Sequence, residues 1–374
     1  MIAPHASILG LGVASPPPLL DQATAITLAQ ARSSVTPRQQ AWIRRLYRHS
    51  GIQCRGSVLV DVEQGTDGFE AFFPVPQTPD ERGPTTASRL QRYEREAPPL
   101  AEAACRRALA NAATEPGEIT HLVCVSCTGM MSPGLDALLV ERLGLSADIG
   151  RLMLGFMGCH GALNGLRTAS ALAQTCARPR VLVCCVELCS LHFQYGWDPQ
   201  KIVANGLFAD GAGAVVVGEA EAKRESEGKR QRAWQLVDTA SRLTAGTSEA
   251  MSWRIGDHGF EMTLSSAVPK LIRGSLAAWV GQWLAGHGMT LGDIRHWVIH
   301  PGGPEILRAA TEALALPEQV VQPSAEVLAE HGNMSSPTVL FILERLRAQG
   351  ATGPCVMMGF GPGLSLEAAL ILCE

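Results

Sequence analysis

Short apolar and β-branched runs bounded by turn residues recur along the chain. They predict buried strands at HLVCVSC (121–127), RVLVCCVEL (180–188) and AGAVVVG (212–218). A second series follows in the same order: HWVIHPG (296–302), PCVMMGFG (354–361) and LSLEAALIL (364–372). A helical stretch separates the first and second members of each series, one opening at Cys159 and the other just after Asn333. Each series is also preceded by an amphipathic helix candidate, at 92–112 and 268–286. The opening MIAPHASILGLGVASPPP reads as a first strand and turn. It has no basic n-region, and glycines and prolines interrupt its apolar run, so it does not fit a signal peptide.

This repetition predicts an α/β chain made of two like βαβ halves about a pseudo-twofold axis. The halves are 1–218, carrying Cys159, and 234–374, carrying His300 and Asn333. A mixed-charge linker at 219–233 joins them. Such symmetry brings matching helix starts face to face. Cys159 and Asn333 then meet at the axis, and His300 arrives from the end of the second half's first strand.

Composition narrows the class. With 374 residues, 46% hydrophobic, 18% charged and 38 glycines, the chain is a large, closely packed globular protein. A net charge of −4 provides no footprint for nucleic acid. No window approaches the roughly 20 apolar residues of a membrane span. The 11 cysteines are odd in number and sit mostly in apolar strands. That pattern points to reduced thiols in the cytosol, not to a disulfide framework.

Cys159 is the cysteine with a chemical setting. In GFMGCHGALNGLRTASALAQ an apolar run ends in a glycine-flanked turn and a helix opens at the cysteine. Unpaired N–H groups and the helix dipole favour a thiolate there, so a lowered pKa and a nucleophilic role are expected. In HPGGPEIL the turn after His300 brings backbone close to a bound ligand, and in HGNMSSP a glycine precedes Asn333. Imidazole and amide donors suit an oxygen on which charge develops. A papain-like protease has the same residue order, but its CGSCW-type signature is missing. The lone CxxC of Cys124 and Cys127 does not predict zinc, because residues three apart on a strand face opposite sides and no second CxxC follows. Cys124, Cys184 and Cys185 read as core packing.

The segments GFMGCHGALNGL, HPGGPEIL, GNMSSPTVLFIL and GFGPGLSLE resemble the signatures of type III polyketide synthases, the chalcone synthase family. THLVCVSCTGMMSPGLDALLVERLGL, FADGAGAVVVG and RIGDHGFEMTLS extend the likeness along most of the chain. The resemblance implies a five-layered αβαβα thiolase-like fold. It implies that Cys159 takes an acyl starter from CoA and that His300 and Asn333 promote decarboxylation of malonyl-CoA. No metal and no cofactor beyond the CoA thioesters are implied, and the family is homodimeric.

By the same likeness Phe208 and Met262 stand at the two gating positions, where the family usually has phenylalanine. Cys127, Thr128, Cys189, His192, Trp253 and Ser335 stand at cavity positions. Plant members commonly have threonine where Cys127, Cys189 and His192 stand, and glycine where Trp253 stands. Arg55, Gly302 and Gly303 match CoA contacts. Ser132 replaces a methionine that often closes the partner's cavity, which leaves cross-subunit shaping open. The bulk of Trp253 is expected to push the starter elsewhere, toward small residues near Cys127 and Cys189.

The expected product is an alkylpyrone or alkylresorcinol from a fatty acyl starter. A malonyl-primed tetrahydroxynaphthalene or phloroglucinol route, a ketosynthase III-like condensing enzyme and a catalytically silent thiolase-fold subunit stay open.

Overall fold

The computed structural model describes residues 6–61, 63, 65–175, 178–219 and 234–373. Apart from Glu219, the run expected to link the halves lies outside the described residues. Among those described, the strands are β1 (Ala6–Ala14), β2 (Leu20–Asp21), β3 (Cys54–Arg55), β4 (His121–Ser126), β5 (Gly150–Gly155), β6 (Arg180–Leu188), β7 (Asp210–Gly218), β8 (Trp234–Leu243), β9 (Met251–Gly256), β10 (Gly259–Leu264), β11 (His296–Ile299), β12 (Gly353–Gly361) and β13 (Ser365–Cys373). The helices are α1 (Gln22–Ser33), α2 (Pro37–His49), α3 (Asp67–Phe72), α4 (Thr86–Asn111), α5 (Leu135–Leu143), α6 (Gly161–Leu172), α7 (Pro199–Leu207), α8 (Val268–Ala285), α9 (Pro304–Ala313), α10 (Glu318–His331) and α11 (Thr338–Ala348).

Nine of these strands form one sheet in the order β11-β12-β13-β8-β1-β7-β6-β4-β5. The order is symmetric about its centre, where β1 and β8 pair antiparallel from Ala6↔Leu236 to Ile8↔Trp234. Moving outward, β7 and β13 are antiparallel to the central strands, β6 and β12 are antiparallel to those, and β4 and β11 run parallel to their neighbours. β5 extends the first half alone.

The layers follow from which faces are apolar. Leu163 and Leu166 of α6 and Leu340 and Phe341 of α11 share one buried cluster with Ile8, Val215, Trp234 and Met357, drawn from both halves. The two helices therefore form the central layer. Helix α4 lies on the outer face of the first half, and α8 and α9 lie on that of the second. The result is the five-layered thiolase-like fold. Strands with helices on both sides must be apolar on both faces, which is why β6 reads as a near-continuous apolar run. Close packing also needs glycine in β1: a Cβ on Gly10 would lie 2.3 Å from the Ala108 carbonyl oxygen of α4.

The hairpin β9–β10 stands apart from the large sheet and pairs Met262 directly opposite Trp253. Among the described residues no helix is long and apolar enough to cross a membrane.

Candidate active site

Strand β5 delivers the chain to a strained turn. Phe156 has φ 56° and Gly158 has φ 77°. A Cβ on Gly158 would lie 2.5 Å from Pro362 Cδ, so the turn fits beneath the Pro362 loop only with glycine there. Cys159 follows in a single 3-10 turn, Gly158–His160, and α6 begins at Gly161. The expected helix start is thus displaced by one short turn.

The expected thiolate is corrected by the surroundings. Burial pushes the Cys159 thiol up to about 12, and the nearby Glu187 carboxylate adds to the effect. Hydrogen bonds from Ser335, Asn333 and the cysteine's own amide oppose it only in part. Helix-end N–H groups do not outweigh a dry, apolar cavity.

His300 follows β11 and donates its backbone N–H to the Met358 carbonyl of β12 at 2.9 Å. Both ring nitrogens are buried with no hydrogen-bond partner. Burial, with a smaller effect of His160, drives its pKa down to about 3, so the imidazole is neutral. Asn333 lies between α10 and α11, five residues before the helix that had been expected to open just after it. It forms an isolated parallel bridge with Phe208. Its Oδ1 accepts from the Ser335 N–H at 2.8 Å, and its Nδ2 donates toward the Gly302 carbonyl at 3.5 Å. Asn333 therefore touches the thiol on one side and the loop after His300 on the other. The fold thus sets Asn333 between the thiol and the loop that follows His300, with the resting thiol facing Asn333 and Ser335.

Cys127, Thr128, Cys189, Phe208, Trp253, Met262 and Ser335 line the cavity beside Cys159. It holds about 20 Å3, room for about one water. A second cavity of about 60 Å3 lies beyond Phe208, Met262, Trp253 and Cys189, which border both spaces. Trp253 is pinned across the inner space by an indole N–H bond to the Cys127 carbonyl at 2.8 Å. His192 acts as a brace: its Nδ1 accepts from the Phe260 N–H at 2.9 Å and its Nε2 donates to the Thr128 carbonyl at 2.7 Å. The ring also stacks on Phe260.

Arg55, expected to meet a CoA phosphate, is not the exposed arginine of a solvated surface. Its guanidinium is buried and donates to the Asn205 and Phe208 carbonyls and to Gln22 Oε1. It braces the end of α7 and lines the outer cavity. Ser132 is exposed and does not line either cavity. Gly302 and Gly303 form the turn into α9, with Gly303 as its N-cap. Cys124, Cys184 and Cys185 are buried in the core, and among the described residues no group of three or more His, Cys, Asp or Glu is placed to hold a metal ion.

Glu187 was missed in the sequence. It is fully buried at the end of β6 and accepts from the Cys127 N–H at 2.9 Å, Thr128 Oγ1 at 2.8 Å and Ser336 Oγ at 2.8 Å. Burial raises its pKa to about 7 despite these donors. A single acid inside the buried run RVLVCCVEL was the available signal. His160 was missed as well. It is buried beside Cys159, with Nδ1 2.6 Å from Asn164 Oδ1.

Two family models match the chain, "Chalcone and stilbene synthases, N-terminal domain" over residues 2–221 and "Chalcone and stilbene synthases, C-terminal domain" over 235–373. The chain belongs to the chalcone and stilbene synthase family. It is a type III polyketide synthase, an acyltransferase that works by decarboxylating condensation. This synthase is 31% identical over 370 residues to the alpha-pyrone synthesis polyketide synthase-like Pks18 of Mycobacterium tuberculosis, covering 98% of this chain and 90% of that one. It is 36% identical over 276 residues to a 1,3,6,8-tetrahydroxynaphthalene synthase of Streptomyces peucetius, covering 73% and 72%. PKS-I of the brown alga Ectocarpus siliculosus superimposes over the whole of both chains, with a TM-score of 0.88 and 29% identity.

Proposed function

We propose that Cys159 attacks the thioester of an acyl-CoA starter, its proton leaving with the CoA thiol, and that His300 and Asn333 hold the carbonyl oxygen of malonyl-CoA. Loss of carbon dioxide leaves an enolate, whose oxygen they stabilise. The enolate carbon attacks the acyl-Cys159 carbonyl, forms the new carbon–carbon bond and expels the cysteine sulfur. Each condensation consumes one malonyl-CoA and one proton, releases carbon dioxide and the free Cys159 thiol, and leaves the lengthened chain as a CoA thioester; attack by Cys159 on that thioester frees one CoA thiol and reloads the chain for the next extension. Decarboxylation supplies the driving force, so the chemistry draws on no metal or further cofactor. The observation that carries this reading is His300: two buried, unpartnered ring nitrogens, on the residue whose following loop the Asn333 amide meets, are donors and acceptors held ready for a ligand.

For the product we infer an alkylpyrone or alkylresorcinol built on a fatty acyl starter, which the likeness to Pks18 supports. The acyl chain then leaves the inner cavity past Cys189, because Trp253 fills the space opposite. The small inner cavity favours a second reading, a malonyl-primed naphthalene-type route, since it needs no room for a long starter. Incubation with malonyl-CoA and starters from acetyl- to stearoyl-CoA, with product masses read out, tests both. Starter-dependent pyrone masses support the first reading, and one product independent of starter supports the second.

The CoA phosphates fall to α2. Its exposed Arg38, Arg44, Arg45 and Arg48 stand in a helix without an acidic residue, beside the outer cavity that Tyr47 lines. Gly302 and Gly303 remain candidates for backbone contact along the CoA arm. A homodimer formed through β5 is supported by its exposed edge, which presents Leu152 and Met153 to solvent beside exposed Met157 and Met130. Placement in a reducing cytosol is supported by ten free cysteines among the described residues. The division into halves at 219–233 is supported by the boundaries of the two family models.

A further inference from the structure

Arginine is rarely buried whole, and Arg89 in the first turn of α4 is 0% exposed. Among the described residues no carboxylate pairs with it. Its donors go to backbone instead: Nε to the Pro84 carbonyl at 2.9 Å, and Nη1 to the Leu191 and Phe193 carbonyls, each at 2.8 Å. These last two flank His192. The guanidinium also lies over the Phe73 ring, 5.0 Å from its centroid, and Nη2 is buried without a partner.

Three pieces of chain that are distant in sequence meet at this cation. The first turn of α4 holds the β9–β10 hairpin directly. The Thr86 N–H donates to the Asp257 carbonyl at 2.8 Å, and Thr86 Oγ1 accepts from the Gly259 N–H at 2.9 Å and donates to the Gly256 carbonyl. Gly259, with φ 97°, lets the hairpin turn lie against Arg89; a Cβ there would stand 2.8 Å from Nη1. The turn Cys189–His192 is tied in through His192, whose ring braces Phe260. Gln194 ties it again, its Nε2 donating to the His192 carbonyl at 3.1 Å and the Phe260 carbonyl at 3.3 Å. The brace needs a neutral ring, because Nδ1 accepts. Burial, with the Arg89 charge adding to it, holds the His192 pKa down at about 3.

The hairpin belongs to no larger sheet, so its seat depends on contacts of this kind. It carries Trp253 and Met262, which line the cavity beside Cys159, and the turn carries Cys189, which borders both cavities. We propose that Arg89 is a positioning residue for starter selection, a buried fork that fixes the hairpin and the Cys189–His192 turn against each other and so sets the width of the cavity. The inference rests on the reading that an acyl starter occupies that cavity. It adds a determinant of starter size that itself lines neither cavity.

The test is the starter preference of the full-length synthase, read as the ratio of kcat/KM for decanoyl-CoA to that for acetyl-CoA. Arg89→Gln should raise this ratio about tenfold by letting Trp253 withdraw, with malonyl-CoA decarboxylation changed less than about twofold. Arg89→Lys, which keeps the charge but not the fork, should fall between wild type and Arg89→Gln. Thr86→Val removes two bonds at the same joint and should shift the ratio in the same direction even if Arg89→Gln does not fold. In a Trp253→Gly background Arg89→Gln should add little, because the side chain it positions is gone. An unchanged ratio in both Arg89→Lys and Thr86→Val, a loss shared equally by both starters and by decarboxylation, or full additivity with Trp253→Gly overturns the proposal. A wild type that forms no acyl-enzyme from any acyl-CoA overturns instead the substrate reading beneath it.

Discussion

Phe208 and Asn333 are joined by backbone: the Asn333 N–H donates to the Leu207 carbonyl and the Ala209 N–H to the Asn333 carbonyl, each at 2.9 Å. The residue that borders both cavities and the amide that meets the Cys159 thiol are thereby fixed to each other across the two halves of the fold.

On the proposed mechanism Asn333→Ala removes one donor to the developing enolate oxygen. Decarboxylation should slow by about 10²–10³ while acylation of Cys159 changes far less. Carbon dioxide release from malonyl-CoA and the rate of acyl-enzyme formation, measured separately, check this. Equal losses in the two steps would contradict the assigned role.

The raised thiol and the depressed imidazole have one cause, since each is the cost of a lone charge in a dry cavity. An imidazolium–thiolate pair relieves both. Removing the imidazole therefore makes the thiolate harder to form. His300→Gln should move the midpoint for Cys159 alkylation by iodoacetamide upward by about one pH unit or more. A midpoint that stays in place or falls would mean that the thiol ionises without His300.

Met262 and Trp253 are cross-strand partners on the β9–β10 hairpin and project into the same cavity. Trp253→Gly deletes the larger of the two and releases its bond to the Cys127 carbonyl. The preference between long and short starters, as a ratio of kcat/KM values, should change about tenfold. Product mass spectrometry should also show extra extension units. An unaltered starter preference and product set would remove Trp253 from the cavity wall.

Glu187 links the site to stability. Its folded pKa, about 7, lies above the ordinary 4.5, so the folded state holds more protons than the unfolded between those values. Stability contributed by this group is lost as pH rises through that window. Asp210, raised to about 6 by burial, acts in the same direction over a narrower range. Thermal unfolding at pH 5.5 and pH 8 should show the wild type losing more stability at the higher pH than Glu187→Gln does. The same loss in both would mean that Glu187 stays ionised in the fold.

The sequence carried most of the sheet and the order of the catalytic groups, because strands covered on both faces must be apolar and glycine turns mark where backbone approaches a ligand. Arg180–Leu188 forms a strand over the range its apolar run predicts. Strand β8 was not legible, since WQLVDTASRL mixes polar and apolar residues and its outer end is exposed. The ionisation of Cys159 was misjudged because a local motif reports helix-end N–H groups and not how dry the cavity is. The burial of Arg55 was not legible for a related reason: an arginine in a polar context looks solvated until the fold buries it against carbonyls. The basic face of α2 was present as Arg38, Arg44, Arg45 and Arg48, but its meaning depends on α7 packing beside it.

The central claim is a covalent acyl group on one sulfur. Intact and peptide mass spectrometry after exposure to a fatty acyl-CoA tests it most directly. The wild type should gain one acyl mass, located on Cys159 and discharged when malonyl-CoA is added, and Cys159→Ala should gain none. A wild type that stays unmodified, or a Cys159→Ala variant that acquires the same turnover-competent adduct, would contradict the account.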